Sequence, residues 1–88
     1  MFPIHLSRKA IDDISLLRKE NQKYTAKLWE LILDIFKNPF DGIGQPEPLK
    51  GDLQGWWSRR ITNKHRLIYR IVENNLEIAS CYGHYGDK

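Results

Sequence analysis

Gly55-Trp56-Trp57-Ser58-Arg59-Arg60-Ile61-Thr62-Asn63-Lys64-His65-Arg66-Leu67-Ile68-Tyr69-Arg70-Ile71-Val72 is the stretch whose reading decides the fold class. Its side chains alternate in character, as they do in a strand with one face buried and one solvated. Trp57, Arg59 and Ile61 alternate with Trp56, Ser58 and Arg60. Beyond a turn near Thr62 to Lys64, Leu67, Tyr69 and Ile71 alternate with Arg66, Ile68 and Arg70. A turn with an odd number of residues sets Arg60 opposite Arg66, with Ser58 and Arg70 on the same face. The other face then carries Trp57, Ile61, Leu67, Tyr69 and Ile71. A two-residue turn would mix Arg66 with Ile61, which buries poorly. The expectation is a hairpin with one basic and one apolar face. Arg59 is in phase with the apolar set and is expected to snorkel from the sheet edge.

Outward from this hairpin, Glu73-Asn74-Asn75 signals a second turn, because Asn tolerates the left-handed conformation. A last strand is expected from Leu76 through Cys81 toward His84. Strict alternation puts His84 with Leu76 and Ile78, off the basic face, so a bulge at Gly83 or the strand's end must re-aim it. Toward the N-terminus, Phe2 to Leu6 suit a short first strand, and Ser7 suits a helix N-cap with Asp12 and Asp13 near the positive end. Ala10, Ile11, Ile14 and Leu17 recur at helical spacing, predicting a helix that ends near Asn21. A second helix is predicted from Tyr24 to Lys37, with an apolar stripe of Leu28, Trp29, Ile32, Ile35 and Phe36, stopped by Asn38-Pro39. Two helices followed by antiparallel hairpins make an α+β domain of order β-α-α-β-β-β, with the helices packed on one face of a twisted antiparallel sheet.

With 88 residues, the chain (1–88) has material for a single domain and one core. Its 41% hydrophobic and 28% charged residues are ordinary globular values. The single cysteine, Cys81, rules out an internal disulfide. One Cys and three scattered His give no metal-ligand spacing, so neither metal nor cofactor is expected. No run approaches the ~20 apolar residues of a membrane span, and Met1 to Asp13 reach charge before any signal-like apolar stretch. The expectation is a reduced, soluble, cytoplasmic domain without a membrane partner. The net charge of +3 conceals a cluster: Leu53 to Val72 holds five cations (Arg59, Arg60, Lys64, Arg66, Arg70) and no carboxylate. Clustered Arg suits phosphate groups, because its planar fork can hold two oxygens at once. A solvated sheet face or an acidic protein partner fits the same charges.

Asn38 to Gly55 is an eighteen-residue loop with four of the six glycines and three of the four prolines. Long ordered loops in small domains tend to carry function. Within it Pro46 and Pro48 flank Glu47 and stiffen its backbone. A carboxylate on a stiff loop, a basic sheet face and the late His84-Tyr85 pair would suit RNA cleavage without metal. The 2′-hydroxyl must lose a proton, the phosphorane must be neutralised, and the leaving 5′-oxygen must gain a proton. The residues alone suit a non-catalytic nucleic-acid or protein binder as well.

The ordered series Asn38-Pro-Phe-Asp-Gly-Ile-Gly-Gln-Pro-Glu-Pro-Leu-Lys50, Gly55-Trp-Trp-Ser-Arg-Arg-Ile-Thr62, His65-Arg-Leu-Ile-Tyr69 and His84-Tyr85 resembles the YoeB-type toxins of the RelE/ParE toxin–antitoxin superfamily. The resemblance implies a ribosome-dependent endoribonuclease that cuts messenger RNA in the ribosomal A site. It also implies a YefM-type antitoxin as partner, and repression of operator DNA by the toxin–antitoxin complex; a homodimer is compatible with it. Position by position, it makes Glu47 the general base, His84 the general acid and Arg66 the residue that stabilises charge on the scissile phosphate. Tyr85 then helps to orient the substrate, Lys50 and Arg60 are supporting phosphate contacts, and Arg59 and Lys64 are general RNA-backbone contacts. Gyrase-poisoning ParE-like members lack this Glu/Arg/His-Tyr constellation. The best-known members end at the His-Tyr pair, whereas Gly86-Asp87-Lys88 follows it here, so the resemblance carries over no role for a terminal carboxylate.

Overall fold

The computed structural model describes residues 3–84. Strand β1 (Ile4–Leu6) leads into α1 (Arg8–Glu20) and α2 (Gln22–Lys37). Then follow β2 (Glu47–Pro48), a single 3-10 turn (Gly51–Leu53), β3 (Trp57–Arg60), β4 (Arg66–Val72) and β5 (Asn75–Ser80). The five strands form one sheet in the order β1-β5-β4-β3-β2. The α+β class and the two-helix layer are as expected.

The sheet itself needs two corrections. It is mixed, because β1 runs parallel to β5 while the other neighbours are antiparallel. The helical pair carries the chain from β1 at one edge to β2 at the other, and the chain works back through β3 and β4 before β5 settles beside β1 in the same direction. Such a parallel pair needs a long connection, where no hairpin could serve. It also has a fifth strand where a loop was expected. Glu47 and Pro48 pair with Ser58 and Trp57. A proline has no ladder donor to give, and the outer edge of a sheet is where that is tolerated.

The hairpin register is the expected one. Arg60 pairs with Arg66, Arg59 with Leu67 and Ser58 with Ile68, and the turn between β3 and β4 is odd-numbered. Leu67, Tyr69, Leu76 and Ile78 form the sheet's contribution to the core, and Leu28, Leu31, Ile32 and Ile35 form that of α2. Full burial of each such side chain is worth roughly 1.5–3 kcal/mol. Ser7 caps α1 as expected, accepting from the Ala10 amide.

Both helix stripes are rotated from the predicted ones. Trp29 is 55% exposed and Ile11 52% exposed, while Leu31 and Asp13 lie inside. Residues adjacent in a helix sit about 100° apart, so an i+1 neighbour of a central stripe residue falls off its edge.

Arg59 is a third correction. It is wholly buried and reaches no RNA-facing surface. Its guanidinium donates from Nη1 to Asp34 Oδ2 (2.6 Å) and the Ile43 carbonyl (3.1 Å). Nη2 donates to the carbonyls of Asn38 (2.5 Å) and Asp41 (2.6 Å), and Nε to the Tyr69 hydroxyl (3.1 Å). Tyr69 in turn donates to the Pro39 carbonyl at 2.7 Å. Every guanidinium N–H is used, which answers the desolvation cost of a buried cation. The period-two phase of Arg59 is therefore a correct signal of burial. Through it, residues 38–43 are pinned onto the sheet. Gly44 continues that approach: its φ is +79°, and a Cβ there would lie 2.6 Å from Leu31 Cδ2. Its carbonyl accepts from the Arg60 amide at 2.7 Å. The loop thus reaches β2 with its path fixed.

Candidate active site

Residues paired across an antiparallel ladder project to the same face. Glu47 with Ser58, and Arg60 with Arg66, therefore share the sheet face turned away from the helices. A register shift between Ile68 and Tyr69 does the rest. Tyr69 pairs with Ile78, but Ile68 pairs with Ser80, so Ala79 is an extra residue in β5. Such a bulge reverses the alternation beyond it. Cys81 consequently turns into the core, fully buried, and its thiol pKa is pushed up to about 12 by burial. The bulge comes four residues earlier than the one expected at Gly83. Gly83 instead has a φ of +89°, and its carbonyl accepts from the Arg66 amide at 3.0 Å.

The outcome is a cavity of about 160 Å³ lined by Gln45, Glu47, Ser58, Arg60, Arg66 and His84. Glu47, Arg66 and His84, expected from residues far apart in sequence, share one concavity with Arg60. Arg66 is only 9% exposed, and its Nη1 donates to the carbonyls of Thr62 (2.6 Å), Asn63 (3.2 Å) and His65 (3.3 Å). The turn between β3 and β4 thus holds the fork in place. Lys64 lines an adjoining open groove with Asn63, His65, Tyr82, Gly83 and His84. Lys50 is exposed beyond β2 and is not among the residues that line the cavity. Tyr85 lies outside the described residues. Among the described residues, no three His, Cys, Asp or Glu side chains gather in a metal-binding group.

Sequence reasoning missed the residues behind this cavity. Asp13 of α1 is buried and accepts from the amides of Cys81 (3.0 Å) and Tyr82 (3.3 Å), fastening the end of β5. Its signal was present, since it lies between Ala10 and Leu17 on the inner stripe. Glu20, at the last turn of α1, accepts from the Tyr82 hydroxyl at 2.7 Å and contacts His65 Nε2 at 3.2 Å. Those two hydrogen bonds hold the Glu20 carboxyl below its usual pKa, and donation to Glu20 raises that of Tyr82. No local pattern in the sequence announces this trio.

Chemically, the cavity joins a carboxylate that can accept a proton, an imidazole that can donate one, and two guanidinium groups suited to a phosphate. Comparison with known proteins gives the family. Residues 6–85 match the family described as the YoeB-like toxin of bacterial type II toxin–antitoxin systems. The toxin YoeB of Escherichia coli is 44% identical over 79 residues, 90% of this chain and 94% of that protein. Among solved structures, the YoeB/ParE toxin from Agrobacterium tumefaciens superposes with a TM-score of 0.90 at 38% identity, covering 94% of this chain and 99% of that one. A chain of the YoeB-YefM complex from Staphylococcus aureus gives 0.86 at 41% identity, covering 97% and 99%. The YoeB dimer from the same species gives 0.87 at 40%, covering 96% and 98%. By sequence and by fold, this chain belongs to the YoeB-like toxins of bacterial type II toxin–antitoxin systems.

Proposed function

We propose that this toxin is a metal-independent endoribonuclease that cleaves messenger RNA in the ribosomal A site and so halts translation. The observation that carries the reading is the convergence of Glu47, Arg60, Arg66 and His84 on one cavity. In this mechanism Glu47 takes the proton of the substrate's 2′-hydroxyl, and the 2′-oxygen attacks the adjacent phosphorus. Because that oxygen is tethered to its target, proximity supplies much of the rate. Arg66, assisted by Arg60, holds the charge that builds on the phosphorane. The bond from phosphorus to the 5′-oxygen breaks as His84 delivers a proton to that oxygen. The products are a 2′,3′-cyclic phosphate and a 5′-hydroxyl. Tyr85 orients the substrate, and Lys50 and Lys64 contact the RNA backbone.

The Staphylococcus aureus structures support two further parts of the reading, a YefM-type antitoxin as the inhibitory partner and a homodimer of the toxin. Operator DNA is then bound only by the toxin–antitoxin pair. The chain acts in the cytoplasm, where ribosomes are, and no helix among the described residues is long and apolar enough to cross a membrane.

Ribosomes programmed with a message carrying one deoxynucleotide 5′ to the cut provide the test. Cutting should vanish at that codon and persist elsewhere, with upstream fragments ending in a cyclic phosphate or its hydrolysis product. Upstream fragments with a free 3′-hydroxyl, or full-rate cutting at the deoxy position, overturn the mechanism. Intact messages with stalled replication would instead mark a gyrase poison.

A further inference from the structure

His65 is buried, with 2% of its surface exposed, in a domain whose proposed chemistry does not use it. It is held on every side. Its ring stacks on Tyr82 with centroids 4.2 Å apart and meets Tyr24 edge-on at 6.0 Å. Nδ1 accepts a hydrogen bond from the Gly83 amide at 2.8 Å. An acceptor cannot carry the proton, so the hydrogen sits on Nε2 and is donated to the Glu20 carboxylate, whose oxygens lie at 3.2 and 3.3 Å. Glu20 is itself fixed by the Tyr82 hydroxyl at 2.7 Å.

What this chain of bonds grips is a single residue, Gly83. Its N–H goes to the side chain of His65, and its carbonyl accepts from the backbone amide of the next residue, Arg66, at 3.0 Å. Gly83 also sits at a φ of +89°, a conformation that L side chains rarely adopt. The following residue is His84. Two consecutive residues, the one just before β4 and the first of β4, therefore clasp both polar groups of the glycine that carries His84, and one of the two is Arg66 itself.

We propose that His65, oriented by Glu20, is a positioning residue that fixes His84 relative to Arg66 through the Gly83 amide. This rests on the nuclease reading above, in which those two side chains act on the same phosphate. A misplacement of about 1 Å in such an arrangement costs on the order of a hundredfold in rate. The claim concerns geometry, not proton transfer: His65 is buried and is not among the residues that line the cavity.

Two substitutions separate the clasp from mere filling of space. In His65→Asn the new amide oxygen would stand where Nδ1 stood, so this variant keeps the acceptor for Gly83 and gives up Glu20. His65→Gln puts its amide where Nε2 stood, keeping Glu20 and giving up Gly83. Both delete the ring stacked on Tyr82, so their losses of stability should be alike. Single-turnover cleavage by saturating, folded toxin on programmed ribosomes should be at least about tenfold faster for His65→Asn than for His65→Gln, with equal ribosome affinity. Amide hydrogen exchange at Gly83 should stay slow in the parent and His65→Asn, and become fast in His65→Gln and His65→Phe. Equal rates and equal Gly83 protection in the Asn and Gln variants overturn the proposal. Failure of the nuclease reading looks different: the parent itself would not cut, while the exchange measurement would still report on the clasp.

Discussion

Arg59 and Arg66, seven positions apart on facing strands, use the same side chain in opposite ways. Arg59 spends all its donors inside the protein, on Asp34, Tyr69 and three loop carbonyls. Arg59→Met should therefore leave a largely buried carboxylate and several carbonyls without a partner, at about 3–5 kcal/mol. Urea denaturation checks this, and a loss below about 1 kcal/mol would contradict the network's structural role. Arg66 sits at the cavity, yet it too is nearly buried and braces the turn through Thr62, Asn63 and His65. Arg66→Ala should accordingly cost about 1–3 kcal/mol of stability, more than an exposed sheet arginine would. It should also slow cleavage by roughly a hundred- to a thousandfold, as loss of an oxyanion donor does. Arg66→Lys should recover little of that rate, since an ammonium cannot reproduce the fork. Cleavage assays on the folded fraction separate the two effects, and a Lys variant at parental rate would argue that only charge is needed. The sequence distinguishes these two arginines by phase alone: Arg59 is in phase with Trp57 and Ile61, and Arg66 is out of phase with Leu67 and Tyr69.

At the scale of elements, alternation was legible and connection was not. The β3–β4 register followed from where Arg60, Arg66 and Ile61 could sit, because a slip by one residue buries charge. The parallel pairing of β1 was not readable, since three residues carry no sign of which neighbour they will join. Nor was β2, whose two residues become a strand only because β3 offers an unpaired edge. Trp29 misled for a related reason: size suggests burial, but position on the helix decides it. The loop that carries Glu47 is tied at Asp34, which accepts from Arg59 and from the Ile43 amide (3.0 Å). Those bonds hold the Asp34 carboxyl below its usual 3.8. A depressed folded pKa gives stability that is present above the unfolded value and is lost as pH falls through the folded one. The stability gap between parent and Asp34→Asn should thus be full near neutrality and narrow below about pH 4. Urea midpoints measured from about pH 7 downward give the gap directly, and a gap independent of pH would show that the carboxylate's charge is not what holds the loop.

Over the whole molecule, the charge read from the sequence overstates the charge available to RNA. Of the five cations between Leu53 and Val72, Arg59 is buried against Asp34. Arg70 donates to Glu77 at 2.7 Å and lies over the Trp56 ring, 4.3 Å from its centroid. Arg60, Lys64 and Arg66 remain at or beside the cavity, with Lys50 exposed nearby. Binding of single-stranded RNA releases condensed counterions in proportion to the phosphates neutralised, with a log–log salt slope of about −0.7 for each. Four available cations give a slope of about −3, whereas counting all five and Lys50 would give about −4. The difference can be assigned to particular residues. With a 2′-O-methyl RNA that cannot be cut, Lys64→Ala should reduce the slope by about 0.7 and weaken binding at every salt concentration. Arg70→Ala should leave the slope unchanged, because its charge is already answered by Glu77. Equal reductions from the two substitutions would mean that Glu77 releases Arg70 to the RNA, and that the patch is as large as the sequence suggests.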